Sequence, residues 1–139
     1  MKKILLFILF SLLLHASDQS YELKIYDSIF SAIFPQKDTV HVWCDSQAKK
    51  DLLQDSKKLA LVTQKNHADI LLISQEKNIS KKYLFFVTSY KMLQRHEERT
   101  LGGFYWKKGR PNILFFRQNL QKNRIDLPTS MQKYIEEEL

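Results

Sequence analysis

Three short runs of almost uninterrupted apolar residues dominate the middle of this chain. They occupy residues 59–63 (LALVT), 69–74 (DILLIS) and 81–88 (KKYLFFVT). Apolar runs of this length, without polar alternation, are typical of strands that are buried on both faces. Such strands belong to a parallel sheet covered by helices on both sides, so we expect an α/β fold.

The flanking sequence supplies the other elements of such a fold. Residues 39–44 (TVHVWC) are β-branched and aromatic and predict a strand. Aromatic-rich segments at 101–108 and 112–117 enclose a KGRP sequence and predict a hairpin, followed by a helical turn at 118–123. The order of elements indicates a three-layer α/β sandwich with a mixed, mainly parallel sheet and a C-terminal β-hairpin plus helix. Apolar spacing and capping residues predict helices over 21–34, 46–56, 89–100 and 128–139.

The first 16 residues have the three parts of a secretory signal peptide. Lys2 and Lys3 form a positive start, residues 4–14 are almost entirely apolar, and the small Ala16 precedes polar sequence. We therefore expect cleavage after Ala16 and a single periplasmic domain over residues 17–139. The alternative is an uncleaved anchor, although the eleven-residue run is shorter than the ~20 apolar residues that a spanning helix needs.

The positive charge of the chain narrows the choice of partners. The chain has 139 residues, with 22 Lys and Arg against 15 Asp and Glu, and a formal net charge of +7. Loss of Lys2 and Lys3 with the signal peptide leaves +5. Nucleic acid is mostly absent outside the inner membrane, so we expect an anionic membrane surface or an acidic protein face as the electrostatic partner of an exported domain.

A single cysteine, Cys44, excludes an internal disulfide framework and any zinc site of the CxxC type. A lone thiol in an oxidising compartment either pairs with another chain or stays buried. Free cysteine is among the most buried residue types, so we expect a buried structural thiol.

Polar residues follow two of the predicted strands. Asp45 and Ser46 come after the first strand, and Ser89 and Tyr90 come after the strand at 81–88. Ligands of open α/β sheets bind outside the carboxyl ends of the strands, where helix N-termini also offer free N–H groups to anions. These four residues are therefore our candidates for binding a small ligand. Plain N-capping of the following helices explains Asp45, Ser46 and Ser89 equally well.

The segment from residue 99 to residue 125 contains seven basic residues and no acidic one, with five aromatic residues interleaved. Its centre is the tip of the predicted hairpin, with Trp106, Lys107, Lys108 and Arg110. Trp and Arg are enriched at interface hot spots, and clustered cations steer association with acidic surfaces. We predict that these four residues form the partner-binding surface. The alternative is a solvated hairpin whose aromatic residues belong to the core.

No local motif indicates catalysis or a metal site. The glutamates after His96 lack the second histidine of an HExxH helix, no serine lies in GxSxG, and there is no glycine-rich phosphate loop. We therefore expect no enzymatic activity, no cofactor and no metal. A hydrolase with dispersed catalytic groups stays open as an alternative that no residue supports.

Several short features follow one another in a characteristic order. They are an exported start, IFP at 33–35, Cys44-Asp45, ADIL at 68–71, LGGF at 101–104, NILFFRQNL at 112–120 and IDLP at 125–128. In this order and spacing, from about residue 21 to residue 135, the chain resembles the YfiR-like periplasmic proteins.

The resemblance implies a small α/β periplasmic protein without catalytic activity. It also implies control of a membrane signalling protein, typically a diguanylate cyclase, by binding of its periplasmic sensor region. The best-known type uses paired cysteines for redox control, which the single Cys44 of this chain does not permit within one molecule. We therefore expect a non-enzymatic regulatory module, with a small periplasmic solute-binding protein as the alternative.

Overall fold

A computed structural model describes the backbone of residues 2–139 and the side chains of residues 18–139. The expected signal peptide and its cleavage site lie outside the residues whose side chains are described. The first helix, α1 (Lys2–Ile33), begins earlier than the helix predicted at 21–34, because no glycine or proline interrupts the chain before Pro35. Within the described part of the chain, no helix combines the length and apolar character needed to cross a membrane.

Seven strands form one sheet in the part of the chain that the structure describes. Their order is β2-β1-β3-β4-β5-β6-β7, and β1 to β5 pair in parallel. Strand β6 is antiparallel to β5, and β7 is parallel to β6. The predicted α/β fold with a mixed, mainly parallel sheet is confirmed. The elements after α1 are β1 (Val40–Cys44), α2 (Gln47–Leu53), β2 (Leu59–Leu61), a 3₁₀ turn (Lys65–His67), β3 (Ile70–Ile73), β4 (Phe85–Val87), α3 (Tyr90–His96), β5 (Gly102–Lys107), β6 (Arg110–Phe116), α4 (Arg117–Lys122), a 3₁₀ helix (Thr129–Tyr134) and β7 (Ile135–Glu136).

Helices cover both faces of the sheet. On one face, α1 contributes Tyr26 and Phe30 to a core that includes Leu72 of β3. On the other face, Leu93 of α3 packs in a second core with Leu71. All four residues of β3 are buried because consecutive side chains of a strand point to opposite faces. Full burial of one such side chain contributes about 1.5–3 kcal/mol, which explains the uninterrupted apolar run in the sequence.

The C-terminal segment differs from the prediction of a helix over residues 128–139. A 3₁₀ helix is followed by β7, whose Ile135 pairs with Phe115 of β6. Without β7, strand β6 would leave its backbone N–H and C=O groups unpaired at the sheet edge, and the β-branched Ile135 suits the extended conformation. Met131 and Tyr134 nevertheless pack against the core, as the spacing predicted. The helix that follows the hairpin is α4.

Strand direction defines two edges of the sheet. Strands β1, β3, β4 and β5 all end at one edge, which we call the carboxyl edge. It carries Asp45, Ser74, Thr88 and the turn between β5 and β6. We call the opposite edge the amino edge; it carries the segments that precede β4 and β5, together with α4, because β6 runs against β5. Both sets of candidate residues therefore lie at the carboxyl edge.

Candidate functional site

A tight turn fixes the tip of the hairpin. Strands β5 and β6 pair without interruption up to Lys107 opposite Arg110, so only Lys108 and Gly109 form the turn. Both have positive φ, 50° at Lys108 and 73° at Gly109. Two-residue turns with positive φ at both positions match the twist of paired strands, and glycine adopts this conformation without a steric cost. The tip is therefore held in one geometry by the ladder beneath it.

Aromatic side chains connect this tip to the core. The Trp106 ring lies 5.7 Å from the ring of Phe104, which is buried and packs 5.1 Å from the ring of Tyr26. On its outer side, Trp106 lies 6.3 Å from Tyr21 of α1. Trp106 is 43% exposed and Tyr21 is 51% exposed. The alternative that the aromatic residues of the hairpin belong to the core is confirmed for Phe104 and is wrong for Trp106, whose large ring lies at the surface.

The cations at the tip have no acidic neighbours in the part of the chain whose side chains are described. Lys107, Lys108 and Arg110 are exposed, and within residues 18–139 no carboxylate lies within 4.0 Å of their side-chain nitrogens. The other cations of the basic segment are elsewhere: Arg99 donates to backbone carbonyls, and Nε of Arg117 lies 2.5 Å from Oε1 of Glu137. The basic residues of the segment 99–125 therefore do not form one continuous surface patch, and the hairpin tip is a separate cationic surface.

The strand-end residues make bonds within the protein. Ser46 caps α2, with its Oγ accepting the N–H of Lys49 at 3.4 Å, and Ser89 caps α3 by accepting the N–H of Met92 at 3.2 Å. The capping alternative is therefore confirmed for both serines. It is wrong for Asp45, whose carboxylate bonds the loop after β3 instead of α2.

The Asp45 carboxylate accepts three backbone N–H bonds with both of its oxygens. Oδ1 accepts from Ser74 at 2.7 Å, and Oδ2 accepts from Gln75 and Glu76 at 2.8 Å each. Ser74 in turn accepts a hydrogen bond from the Thr88 hydroxyl at 2.8 Å. Ser74 thus connects the end of β1, where Asp45 lies, to the end of β4, where Thr88 lies.

Sequence reasoning missed Ser74, although it follows a parallel strand as Asp45 does and was detectable by the same rule. Tyr90, the fourth predicted ligand residue, is 45% exposed, and its ring lies 5.6 Å from that of Tyr105. Ligand binding by Asp45, Ser46, Ser89 and Tyr90 stays a prediction, and the polar atoms of the first three already make internal bonds.

Burial perturbs two further groups. Burial of Cys44 raises the pKa of its thiol to about 12, so the thiol is protonated at neutral pH and is a weak nucleophile. The predicted buried thiol is confirmed. Burial lowers the pKa of His96, and its Nε2 has no hydrogen-bond partner among the described residues. Among the described residues, no group of three or more His, Cys, Asp and Glu side chains is arranged to hold a metal ion.

No protein-family profile and no curated protein matches this sequence. The fold is similar to a crystal structure described as a conserved domain protein from Vibrio cholerae O1 biovar El Tor str. N16961, with a TM-score of 0.54 and 9% sequence identity. The similarity covers 81% of this chain and 58% of that protein. At this identity it shows the fold alone.

Proposed function

We propose that this chain is an exported, non-enzymatic regulatory module that docks in the periplasm on a membrane-bound signalling protein. The resemblance to YfiR-like proteins makes a diguanylate cyclase or a similar sensor the expected partner. The docking surface is the hairpin tip with Trp106, Lys107, Lys108 and Arg110. One observation carries the proposal: a two-stranded ladder holds an exposed tryptophan among three cations that have no carboxylate within 4.0 Å in residues 18–139.

The tip has the composition of an interface hot spot. Truncation of a Trp or Arg that acts as a hot spot costs about 2 kcal/mol or more in binding free energy. Lys107 and Lys108 lie beside Trp106, where rim cations accelerate association with an acidic surface and make it sensitive to salt. Because the tip is already ordered by β5 and β6, binding loses little conformational entropy.

The alternative of a small solute-binding protein receives less support from the geometry. The ligand residues predicted for this alternative lie at the carboxyl edge, where both oxygens of Asp45 hold the loop after β3 and Ser46 and Ser89 cap helices. A ligand there would have to compete with bonds that the fold already makes.

An affinity pull-down with paired charge reversals tests the proposal. The chain 17–139 retains every side chain of both described cores, and it is used to capture proteins from solubilised membranes for mass spectrometry. The docking variant is Lys107→Glu, Lys108→Glu and Arg110→Glu. The matched control is Lys81→Glu, Lys82→Glu and Lys122→Glu, which changes the net charge equally at the amino edge.

We expect a membrane signalling protein to bind the unmodified chain and the control and to be lost with the docking variant. Retention of that protein by the docking variant, or its equal loss with both variants, would contradict the assigned surface.

A further inference from the structure

A second basic cluster surrounds a cavity at the amino edge, which we call the amino-edge cavity. Its volume is about 400 Å³, within the usual range of small-ligand sites. The cations Lys81, Lys82, Arg99 and Lys122 line it, and Glu98 is the one carboxylate among the described lining residues. Four positive charges and one negative charge give this lining a formal net charge of +3. These residues come from three segments: the loop before β4, the turn after α3, and α4.

One of the cations is fixed in position. The guanidinium of Arg99 donates from Nη1 to the Ile79 carbonyl at 2.5 Å and from Nη2 to the Ser80 carbonyl at 3.0 Å. It also lies 5.4 Å from the centre of the Phe85 ring. A guanidinium has five N–H donors, and these bonds use two of them. The other three N–H donors make no hydrogen bond among the described residues, so a ligand that accepts from them leaves the orienting bonds intact.

Hydrogen bonds from two side-chain amides hold the wall of the cavity. Asn119 is 2% exposed and donates to the carbonyls of Glu97 at 2.8 Å and Thr100 at 2.7 Å, which ties α4 to the turn after α3. The side chain of Asn123 donates to the Asn119 carbonyl at 2.8 Å and closes the end of α4. The position of α4 against the turn after α3 is therefore fixed without a ligand.

The lysines at the rim of the cavity carry charge that no described carboxylate neutralises. Lys81, Lys82 and Lys122 are exposed, and none has a carboxylate within 4.0 Å of its ammonium group among residues 18–139. The Lys82 ammonium lies 4.9 Å from the centre of the Tyr83 ring, which also lines the cavity. A concave surface with charge of one sign concentrates small ions of the opposite sign.

We propose that the amino-edge cavity binds a small ligand that carries an oxyanion, either a phosphate or a polycarboxylate. Arg99 presents the planar donors that match two oxygens of such a group, and the rim lysines close around it. The site is independent of the hairpin tip, which lies at the opposite edge. Partner and ligand therefore do not compete for the same residues.

Calorimetric titration of the chain 17–139 tests this site with inorganic phosphate, pyrophosphate and citrate at constant ionic strength. The cavity variant is Lys81→Gln, Lys82→Gln and Lys122→Gln. The matched control, Lys107→Gln, Lys108→Gln and Arg110→Gln, removes the same charge at the hairpin tip. We expect saturable binding of one ligand per chain, weakened about tenfold or more in the cavity variant and by about twofold at most in the control.

Preference for phosphate or pyrophosphate over citrate assigns the phosphate class, and the reverse order assigns the polycarboxylate class. Absence of saturable binding for all three probes would overturn the site. Equal weakening in both variants would also overturn it, because the attraction would then follow net charge alone. Neither result depends on whether the hairpin tip binds a membrane protein.

Discussion

Replacement of Asp45 separates a structural role at the carboxyl edge from a role in ligand binding. The Asp45→Ala variant removes a carboxylate that accepts three N–H bonds from the loop after β3. Hydrogen bonds to a charged group contribute about 1.5–3 kcal/mol each. Asp45 is only partly buried, so water replaces part of what is lost and the three contributions are not additive. We therefore expect a loss of about 2–4 kcal/mol in the free energy of unfolding.

The Asp45→Asn variant provides an internal comparison. Its amide keeps one oxygen, which retains the bonds from Gln75 and Glu76 when it occupies the place of Oδ2. The bond from Ser74 is lost, because an amide nitrogen cannot accept it. We expect a smaller loss, about 1–2 kcal/mol, so the order of stability is Asp, then Asn, then Ala.

Urea unfolding followed by circular dichroism measures both losses. With a slope of about 2 kcal/mol per molar urea, the alanine variant lowers the midpoint by about 1–2 M. Asp126→Ala is the control, because Asp126 is exposed and makes no side-chain hydrogen bond or ion pair within the described residues. A urea midpoint for Asp45→Ala equal to that of the control would refute the structural role of Asp45 and favour the predicted role in ligand binding.

Three further outcomes follow from the buried groups and the hairpin. Because burial lowers the pKa of His96 in the folded state, the unfolded chain binds more protons than the folded chain below the ordinary value of 6.5. The contribution of His96 to stability is therefore complete above that pH and decreases as the pH falls below it. Urea midpoints between neutral pH and pH ~5.5 detect this decrease, and the His96→Leu variant removes it. Because the Cys44 thiol is buried with a pKa of about 12, a disulfide reagent should label it at a rate limited by unfolding, and rapid labelling without denaturant would contradict this burial. A Cβ on Gly102 would lie 2.0 Å from the Leu114 carbonyl oxygen, whereas one on Gly109 would meet none of the described residues within 4 Å. Gly102→Ala should therefore prevent stable folding, and Gly109→Ala should cost about 1 kcal/mol by thermal denaturation, because its φ is positive.

The elements that the sequence predicted well are those with local signals. The apolar run that contains β3 identified a strand buried on both faces, and Ser46 and Ser89 marked the starts of α2 and α3. The C-terminal segment was predicted less well, because the pairing of Ile135 with Phe115 joins residues that are far apart in the chain. Local apolar spacing predicts only that Tyr134 faces the core. Both the predicted α-helix and the observed 3₁₀ helix satisfy this condition, so the spacing could not distinguish between them.

The candidate sites show the same limit. The four residues of the hairpin tip are neighbours in sequence, so composition and turn chemistry were enough to predict that they lie together on one turn. The role of Asp45 depends on a loop about thirty residues later, since its partners are Ser74 and the two residues after it. The amino-edge cavity brings together Lys81, Arg99 and Lys122 from separate segments, and no local motif marks their convergence.

Photo-cross-linking in cells that express the full chain tests the docking surface most directly. A photoreactive amino acid replaces Lys107 at the hairpin tip, and a second variant carries it in place of Lys81 at the amino edge. We predict that illumination joins the first variant to one membrane signalling protein and that the second variant gives no such adduct. The same adduct from both positions, or from Lys81 alone, would contradict docking through the hairpin tip.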